Sequence, residues 1–506
     1  MSTRVDTLRG DSGAEARHDA FVGLQDLPVV IDSRLRLPPG LPRTLVAALK
    51  KSCSHANPDF HKKKAMHFST WGVDSTIGTW ELHDKGTSAE SLSLPRGATA
   101  RLREIAVEHG FAPRFLDRRV KHPHVEWPPI RFTPRWYQDE AIEACLKHEQ
   151  GIVRAPTGSG KTLAVGAFLR LAGQPALVIM RDGNLLEQWV DVAVECFGLH
   201  EREIGIFKGS SRLRSGPRLT LALQQTLYSP SFPLDEVANR FGVVVVDEAH
   251  TCAAATFQRV IGAFPARYRI GVTADETRKD KKEFLVYDQF GKVVYEIERE
   301  EVEADGSITP VEVVLVPTEF YADWYRYAEG GERDFNRLLE EMTTDSERND
   351  LIVSLVKHLS KLEAPSLVFS HRIEHARTLA DVELFGAGVK CGLLLGGDSN
   401  RVRYAEDKAR LKSGDLPVCT GTFQAVGQGI DMPAVRSGVM ATPIGKNRQF
   451  FGQVRGRICR PAKGKSFGRL YVVWDRHVFP DMPKLVESWN GGRTSVVELG
   501  AVLDAA

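Results

Sequence analysis

Eight residues constrain this chain more than any others: Ala155-Pro-Thr-Gly-Ser-Gly-Lys-Thr162, which follow the apolar Gly151-Ile-Val and precede the helix-like Leu163–Ala172. A strand that ends in a glycine-bearing turn and continues as a helix is the context in which backbone N–H groups wrap phosphate oxygens. Gly158 and Gly160 give the turn its conformational freedom, so that Pro156, Thr157 and Ser159 can follow the curve of a phosphate chain. Lys161 reaches the outer phosphates, and the Thr162 hydroxyl is placed for Mg²⁺. The first position is Ala where the common pattern has Gly, which loosens the pattern but leaves the cradle intact.

The surrounding texture agrees with this turn. From Ile130 onward, short apolar runs alternate with helical patterns, the signature of βαβ units on a parallel sheet. The first block predicts strands at Ala176–Met180, Leu219–Leu223, Gly242–Val246 and Tyr268–Val272; the second predicts them at Ser366–Ser370, Lys390–Leu395, Pro417–Gly421, Ser437–Ala441 and Leu470–Val473. A length of 506 residues accommodates about three domains of ordinary size. The expected fold is therefore α/β, with two tandem phosphate-binding-type domains and a small N-terminal α+β accessory domain. The expected boundaries are a flexible leader over 1–40, the accessory domain over 41–125, the first α/β domain over 126–300, a linker or small insertion over 301–345, the second α/β domain over 346–490, and a tail over 491–506.

The first block supplies a second chemical element. Phe241-Gly-Val-Val-Val-Val246 reads as a central buried strand and ends in Asp247-Glu248-Ala249-His250, two acids at the carboxyl end where open α/β sheets bind ligands. Asp247 would hold Mg²⁺, and Glu248 would polarise the water that attacks a γ-phosphate. That reaction also needs positive charge on the γ-phosphate, which Gln453-Val-Arg-Gly-Arg-Ile-Cys-Arg460 offers from the second block. On a helix, Gln453, Arg457 and Arg460 share one face.

In this order the motifs resemble a superfamily 2 helicase or translocase of the DEAH-box type over residues 130–475, most strongly the branch of the XPB and UvsW helicases, including phage and mobile-element enzymes. The resemblance implies two RecA-like lobes that clamp ATP and step along a nucleic-acid strand, expected to move 3′-to-5′ on DNA. It also implies roles for single residues. Arg135-Trp-Tyr-Gln138 resembles the adenine-reading motif, with Gln138 on the base edge and Arg135 nearby. Gln188, within Leu185-Leu-Glu-Gln-Trp189, and Thr226, within Gln224-Gln-Thr-Leu227, fall on strand-contacting motifs, as do Ser370-His371-Arg372 and Thr422. Gly429 and Asp431 fall on the motif that couples bound strand to ATP. One departure stands out: the family's Thr-Ala-Thr-Pro is replaced by Thr273-Ala-Asp275-Glu276, which leaves open a nucleic-acid-binding ATPase switch or scaffold without unwinding. An RNA helicase shares nearly every motif and stays as an alternative.

The net charge of +2 excludes whole-molecule attraction to a polyanion, so any such partner must meet a local patch. One candidate lies between Arg43 and His124, where fourteen Lys and Arg stand against eight Asp and Glu, interleaved with Phe60, Phe68, Trp71 and Trp80. Basic and aromatic residues together suit phosphate contact and base stacking, although a wet face over core aromatics gives the same composition. The stretch Pro42–Gly97, with Asn57-Pro58, Ser69-Thr-Trp-Gly72 and Leu94-Pro-Arg-Gly97, resembles accessory regions of phage and mobile-element helicases, which implies a duplex or branched-DNA contact module. Seven scattered cysteines without a C-x-x-C pair point to a reducing compartment, and no run of eighteen apolar residues occurs, so the expected location is the cytoplasm with no membrane partner. Cys53, His55, His61 and His67 fit no zinc spacing, leaving Mg²⁺ as the expected metal. Trp324, Tyr325 and Tyr327 read as aromatics packed on their own domain in preference to a strand contact.

Overall fold

The computed structural model describes residues 24–181, 183–209, 212–251, 259–274, 281–327, 334–397, 400–427, 434–443, 448–462, 464–490 and 492–504. The chain divides into two compact units, Met1–Arg154 with Thr162–Glu296, and Ala155–Lys161 with Ile297–Ala506.

The first unit begins with a mixed sheet. Its members are β1 (Gln25–Ile31), β2 (Arg34–Arg36), β5 (Glu81–His83), β6 (Ser91–Pro95) and β7 (Phe111–Asp117), in the order β5-β6-β2-β1-β7. Helices α1 (Arg43–Ser52) and α3 (Thr99–Glu108) bury Leu45, Leu49, Leu102 and Ala106 in a core shared with Leu27, Val29, Leu92 and Leu94 of the strands. Between α1 and β5 the chain makes a two-stranded stem, β3 (Ser54–Ala56) against β4 (Thr76–Gly78), with helix α2 (Pro58–Ala65) between them. The leader expected over 1–40 thus contains two strands. Pro28 and the polar flanks hid them, but β1 is paired on both sides, antiparallel to β2 and parallel to β7, which outweighs local propensity.

The larger sheet of this unit comprises β8 (Gln150–Arg154), β9 (Ala176–Met180), β10 (Gly205–Lys208), β11 (Arg212–Arg214), β12 (Leu219–Leu223), β13 (Val243–Asp247), β14 (Tyr268–Thr273) and β15 (Val293–Glu296). Its order is β11-β10-β12-β9-β13-β14-β8-β15, parallel throughout except for the edge strand β11. Each strand of the interior is apolar on both faces because helices cover both, which is why Val243–Val246 reads as an unbroken valine run. Helices α4 (Trp136–His148), α5 (Lys161–Ala172), α6 (Gly183–Glu195) and α7 (Phe284–Phe290) belong to this layer.

The second unit holds a fully parallel seven-stranded sheet of β16 (Val311–Thr318), β17 (Ser366–Ser370), β18 (Cys391–Leu394), β19 (Val418–Thr422), β20 (Ser437–Met440), β21 (Gly468–Asp475) and β22 (Thr494–Val496). The order is β18-β19-β17-β20-β21-β16-β22. Helices α8 (Ser346–Leu362), α9 (Ile373–Thr378), α10 (Arg448–Ile458) and α11 (Met482–Asn490) accompany it. Two boundaries therefore shift. Val311–Thr318 is no linker but an inner strand between β21 and β22, and the expected tail supplies edge strand β22. Both depend on partners far away in sequence, which local pattern cannot reveal. Trp324 and Tyr325 pack within this unit beside Leu338, Met342 and Phe479, with the indole N–H of Trp324 donating to Glu341 at 2.8 Å.

No helix among the described residues is long and apolar enough to cross a membrane.

Candidate nucleotide site and strand-contact surfaces

Three strands of the first unit bring the chemistry to one edge. In register, Asp247 of β13 pairs with Val272 of β14, which pairs with Val153 of β8, so Asp247, Val272 and Val153 form a row across adjacent parallel strands. At about 4.8 Å between strands, the end of β8, where the Ala155–Thr162 turn departs, stands roughly 10 Å from Asp247 along the carboxyl edge. The turn has the backbone that phosphate wrapping requires, with φ +97° at Gly158 and +78° at Gly160, and the Ser159 N–H donates back to Pro156 O at 3.2 Å.

Asp247 is 6% exposed and held from both sides. The indole Nε1–H of the buried Trp189 on α6 donates to its Oδ2 at 2.9 Å, and the Glu248 N–H donates to its Oδ1 at 2.9 Å. Glu248 itself takes φ +50°, a left-handed backbone unusual for a residue with a Cβ, at the first position beyond the strand. His250 lies between the carboxylate and β14: its Nδ1 is 3.5 Å from Glu248 Oε2 and 2.5 Å from the Thr273 hydroxyl. A hard carboxylate and a Thr hydroxyl are donors that Mg²⁺ takes, and a positive-φ turn is the backbone that a phosphate chain takes, so Asp247, Thr162 and the turn each fit such a group by their own chemistry.

Arg135 and Gln138 stand at the start of α4, where Gln138 is buried and its Oε1 accepts the Arg135 N–H at 2.9 Å, capping the helix; the Arg135 guanidinium donates to Tyr137 Oη at 2.9 Å. Both side chains thus have structural partners in the described state.

In the second unit, Ser370 and Thr422 are register neighbours at the carboxyl ends of β17 and β19. Ser370, expected on a strand-contact motif, is 1% exposed and bonded to His375 Nδ1 at 2.9 Å. His371 binds Thr442 Oγ1 through its N–H and Nδ1, both at 3.0 Å, and its ring lies 4.6 Å from that of Phe423. Arg372 donates to Asn336 O at 2.9 Å, and Thr422 Oγ1 accepts the Ala425 N–H at 3.3 Å. Arg457 and Gln453 lie on α10, and Arg460 just beyond it. Two basic side chains fix that segment. Arg455 ties α10 to α11 through Trp489 O and Asn490 Oδ1, and the buried Lys465 ammonium donates to the carbonyls of Val435, Ile458 and Arg460 at 2.5, 2.5 and 2.9 Å. Burial pushes the Lys465 pKa down to about 8.

Against known proteins, residues 131–277 match the family described as "Type III restriction enzyme, res subunit". Over 346 residues the chain is 26% identical to "DNA 3'-5' helicase XPB" of Kineococcus radiotolerans, covering 68% of this chain and 60% of that one. Over these spans the chain is similar to helicases of the superfamily 2 type, XPB relatives among them. It is also 26% identical over 365 residues to "Probable helicase D10" of Escherichia phage T5, covering 70% of this chain and 74% of that one. The solved structure of Saccharomyces cerevisiae Dbp5, bound to RNA and ADP BeF3, shares the fold with a TM-score of 0.52 at 16% identity, over 74% of this chain and 92% of that one. The chain spans about 60% of the length of the XPB relative.

The remaining residues expected to contact a strand separate by burial. Gln188 is half-buried on α6, while Thr226 is 6% exposed and uses its hydroxyl to accept the Gly209 N–H at 2.9 Å. Gly429 and Asp431, together with Asp275 and Glu276, lie outside the described residues. Sequence reasoning missed the role of Trp189, read only as part of a strand-contact motif. The spacing of Leu186, Trp189 and Ala193 carried the signal, since it places the indole on the buried face of α6.

Proposed function

We propose that the protein is a cytoplasmic, ATP-driven DNA helicase or translocase that moves 3′-to-5′. What supports this reading is the Asp247–Val272–Val153 row, in which Asp247, held by Trp189, stands in register with the strand from which the 155–162 turn departs. Lys161 and the loop amides bind the phosphates, and Thr162 and Asp247 hold Mg²⁺, which when bound neutralises charge on the β- and γ-phosphates. Glu248 orients and deprotonates the attacking water, and Arg457 and Arg460 balance charge developing on the γ-phosphate. Arg135 and Gln138 recognise the adenine, and Gln453, Gly429 and Asp431 complete the nucleotide contacts. Gln188, His371, Arg372 and Thr422, with backbone groups at Thr226 and Ser370, meet the strand. The names of the XPB and phage relatives support DNA as the partner.

A second reading rests on Asp275 and Glu276, where the family has Thr and Pro: an ATPase that binds nucleic acid without separating strands. Steady-state ATPase with no nucleic acid, single-stranded DNA, duplex DNA and RNA, followed by strand displacement, tests both. DNA-stimulated hydrolysis lost in Lys161→Ala and Glu248→Gln is the expected result; hydrolysis indifferent to DNA would overturn it, and stimulation without displacement would favour the second reading.

A further inference from the structure

Residues 57–75 stand out from the N-terminal sheet as a prong. The β3/β4 stem carries them, and Asn57 closes the base: its N–H donates to Ser75 O at 2.9 Å and its Nδ2 to Asp74 O at 2.8 Å. Helix α2 buries no side chain, and every residue from His61 to Ser69 is exposed. Three large apolar side chains stand in water here, Met66 at 50%, Phe68 at 62% and Trp71 at 93% exposure. A tryptophan so fully exposed is costly unless a partner covers it.

The composition of the prong says what that partner is. Lys62, Lys63 and Lys64 precede the aromatics on consecutive positions, while one of the two acids, Asp59, is engaged by Lys282 at 2.7 Å. Cations beside flat, exposed rings are the chemistry of a strand whose phosphates need neutralising and whose unpaired bases need a stacking surface. The stem is also held firmly. His55 of β3 donates to Asp288 of α7 at 2.9 Å, and its ring stacks on Phe284 with centroids 4.1 Å apart.

We infer that the 57–75 prong is a second DNA contact, in which Trp71 and Phe68 stack on unpaired bases while Lys62, Lys63 and Lys64 meet the phosphates. This rests on the DNA reading above and adds a site to it. Lys282 and α7, which hold the prong and its stem, come shortly after Asp275 and Glu276 in sequence.

The test is fluorescence anisotropy of labelled single-stranded, blunt duplex and forked DNA with the full chain, comparing wild type, Trp71→Ala, Phe68→Ala and the triple variant Lys62→Gln/Lys63→Gln/Lys64→Gln across a salt series. Trp71→Ala should weaken single-strand and fork binding about 10-fold and leave blunt duplex nearly unchanged. The triple variant should flatten the single-strand salt slope by about 2. Basal ATPase without DNA should match wild type in all three, which shows that the exposed substitutions leave the fold intact. Unchanged affinity and slope, with wild type binding DNA, would overturn the prong and leave the DNA reading standing. Equal losses on blunt duplex and single strand for Trp71→Ala would overturn stacking. Failure of wild type to bind any DNA would overturn both readings.

Discussion

Trp189 shows how one side chain sets the chemistry of another. Its indole donates to Asp247 from the buried face of α6, so the carboxylate that would hold Mg²⁺ keeps one orientation before any ligand arrives. Outer contacts of this kind change metal affinity or activity by 10- to 100-fold when removed. Trp189→Phe keeps an aromatic in the core but takes away the donor. It should lower DNA-stimulated ATPase about 10-fold and raise the Mg²⁺ concentration needed for half-maximal rate, with little change in ATP KM; a Mg²⁺ titration of the two proteins side by side decides it. Glu248 makes the complementary point, since its φ of +50° would be unremarkable for glycine but here places a carboxylate just past the strand. The acidic pair was legible as two letters after a valine run. The backbone that separates their roles was not.

At the scale of elements, the second sheet depends on buried polar links between strand ends and helices. Arg348 of α8 donates to Asp475 Oδ1 of β21 at 2.7 Å, and Thr318 of β16 donates to the same oxygen at 2.7 Å. His375 of α9 connects β17 to α8: Nδ1 accepts from the Ser370 hydroxyl, and Nε2–H donates to Asn349 Oδ1 at 3.1 Å. Burial, reinforced by the charge of Arg348, pushes the His375 pKa from its ordinary 6.5 down to about 3, so the ring is neutral in the fold. The unfolded chain then binds the extra proton between pH 6.5 and 3, and stability rises with pH through that window, by up to about 1.4 kcal/mol per pH unit. The contribution is complete above pH 6.5 and is lost as the pH falls toward 3. His375→Gln should therefore be less stable than wild type at pH 7 but lose less further stability on going to pH 5. Thermal unfolding of both proteins at pH 7, 6 and 5 reads this directly, and parallel curves would refute it.

At the scale of the first unit, the accessory domain is locked onto the larger sheet. Arg96, 0% exposed, donates to Ala266 O at 2.6 Å and Arg267 O at 3.1 Å, and Arg269 reaches back to Ser33 O at 2.9 Å. Asp288 receives His55, Thr79 at 2.5 Å and Arg101; burial by itself would raise its pKa, but these donors and the arginine charge outweigh it and hold the carboxyl below its usual range. Its stabilising share is thus present above the ordinary carboxylate pKa and lost only as pH falls below it. The contact is so close that a Cβ on Gly97 would sit 2.0 Å from Tyr287 O and 2.6 Å from Asp288 O. Gly97→Ala should force the two backbones apart, costing about 2 kcal/mol and lowering the melting temperature of the full chain by several degrees. Amide exchange in α7 should rise with it. An unshifted melt would show that the junction yields freely.

The sequence by itself determined what short-range physics controls. A glycine-bearing turn between strand and helix, a doubly covered valine strand closed by two acids, and a helix carrying Gln453 and Arg457 each follow from local dihedral freedom and side-chain period; Arg460 falls past that helix's end. They were enough to anticipate two α/β sheets and to nominate the residues of the proposed nucleotide site. Only the tertiary structure decided which distant groups complete them. Trp189 meets Asp247, β16 enters the second sheet between β21 and β22, and Arg96-Gly97, legible only as a permissive string, seals the accessory domain to α7. Each of these contacts joins groups whose separation along the chain is closed by topology. Burial then made their hydrogen bonds obligatory, and neither effect leaves a periodic trace in the sequence.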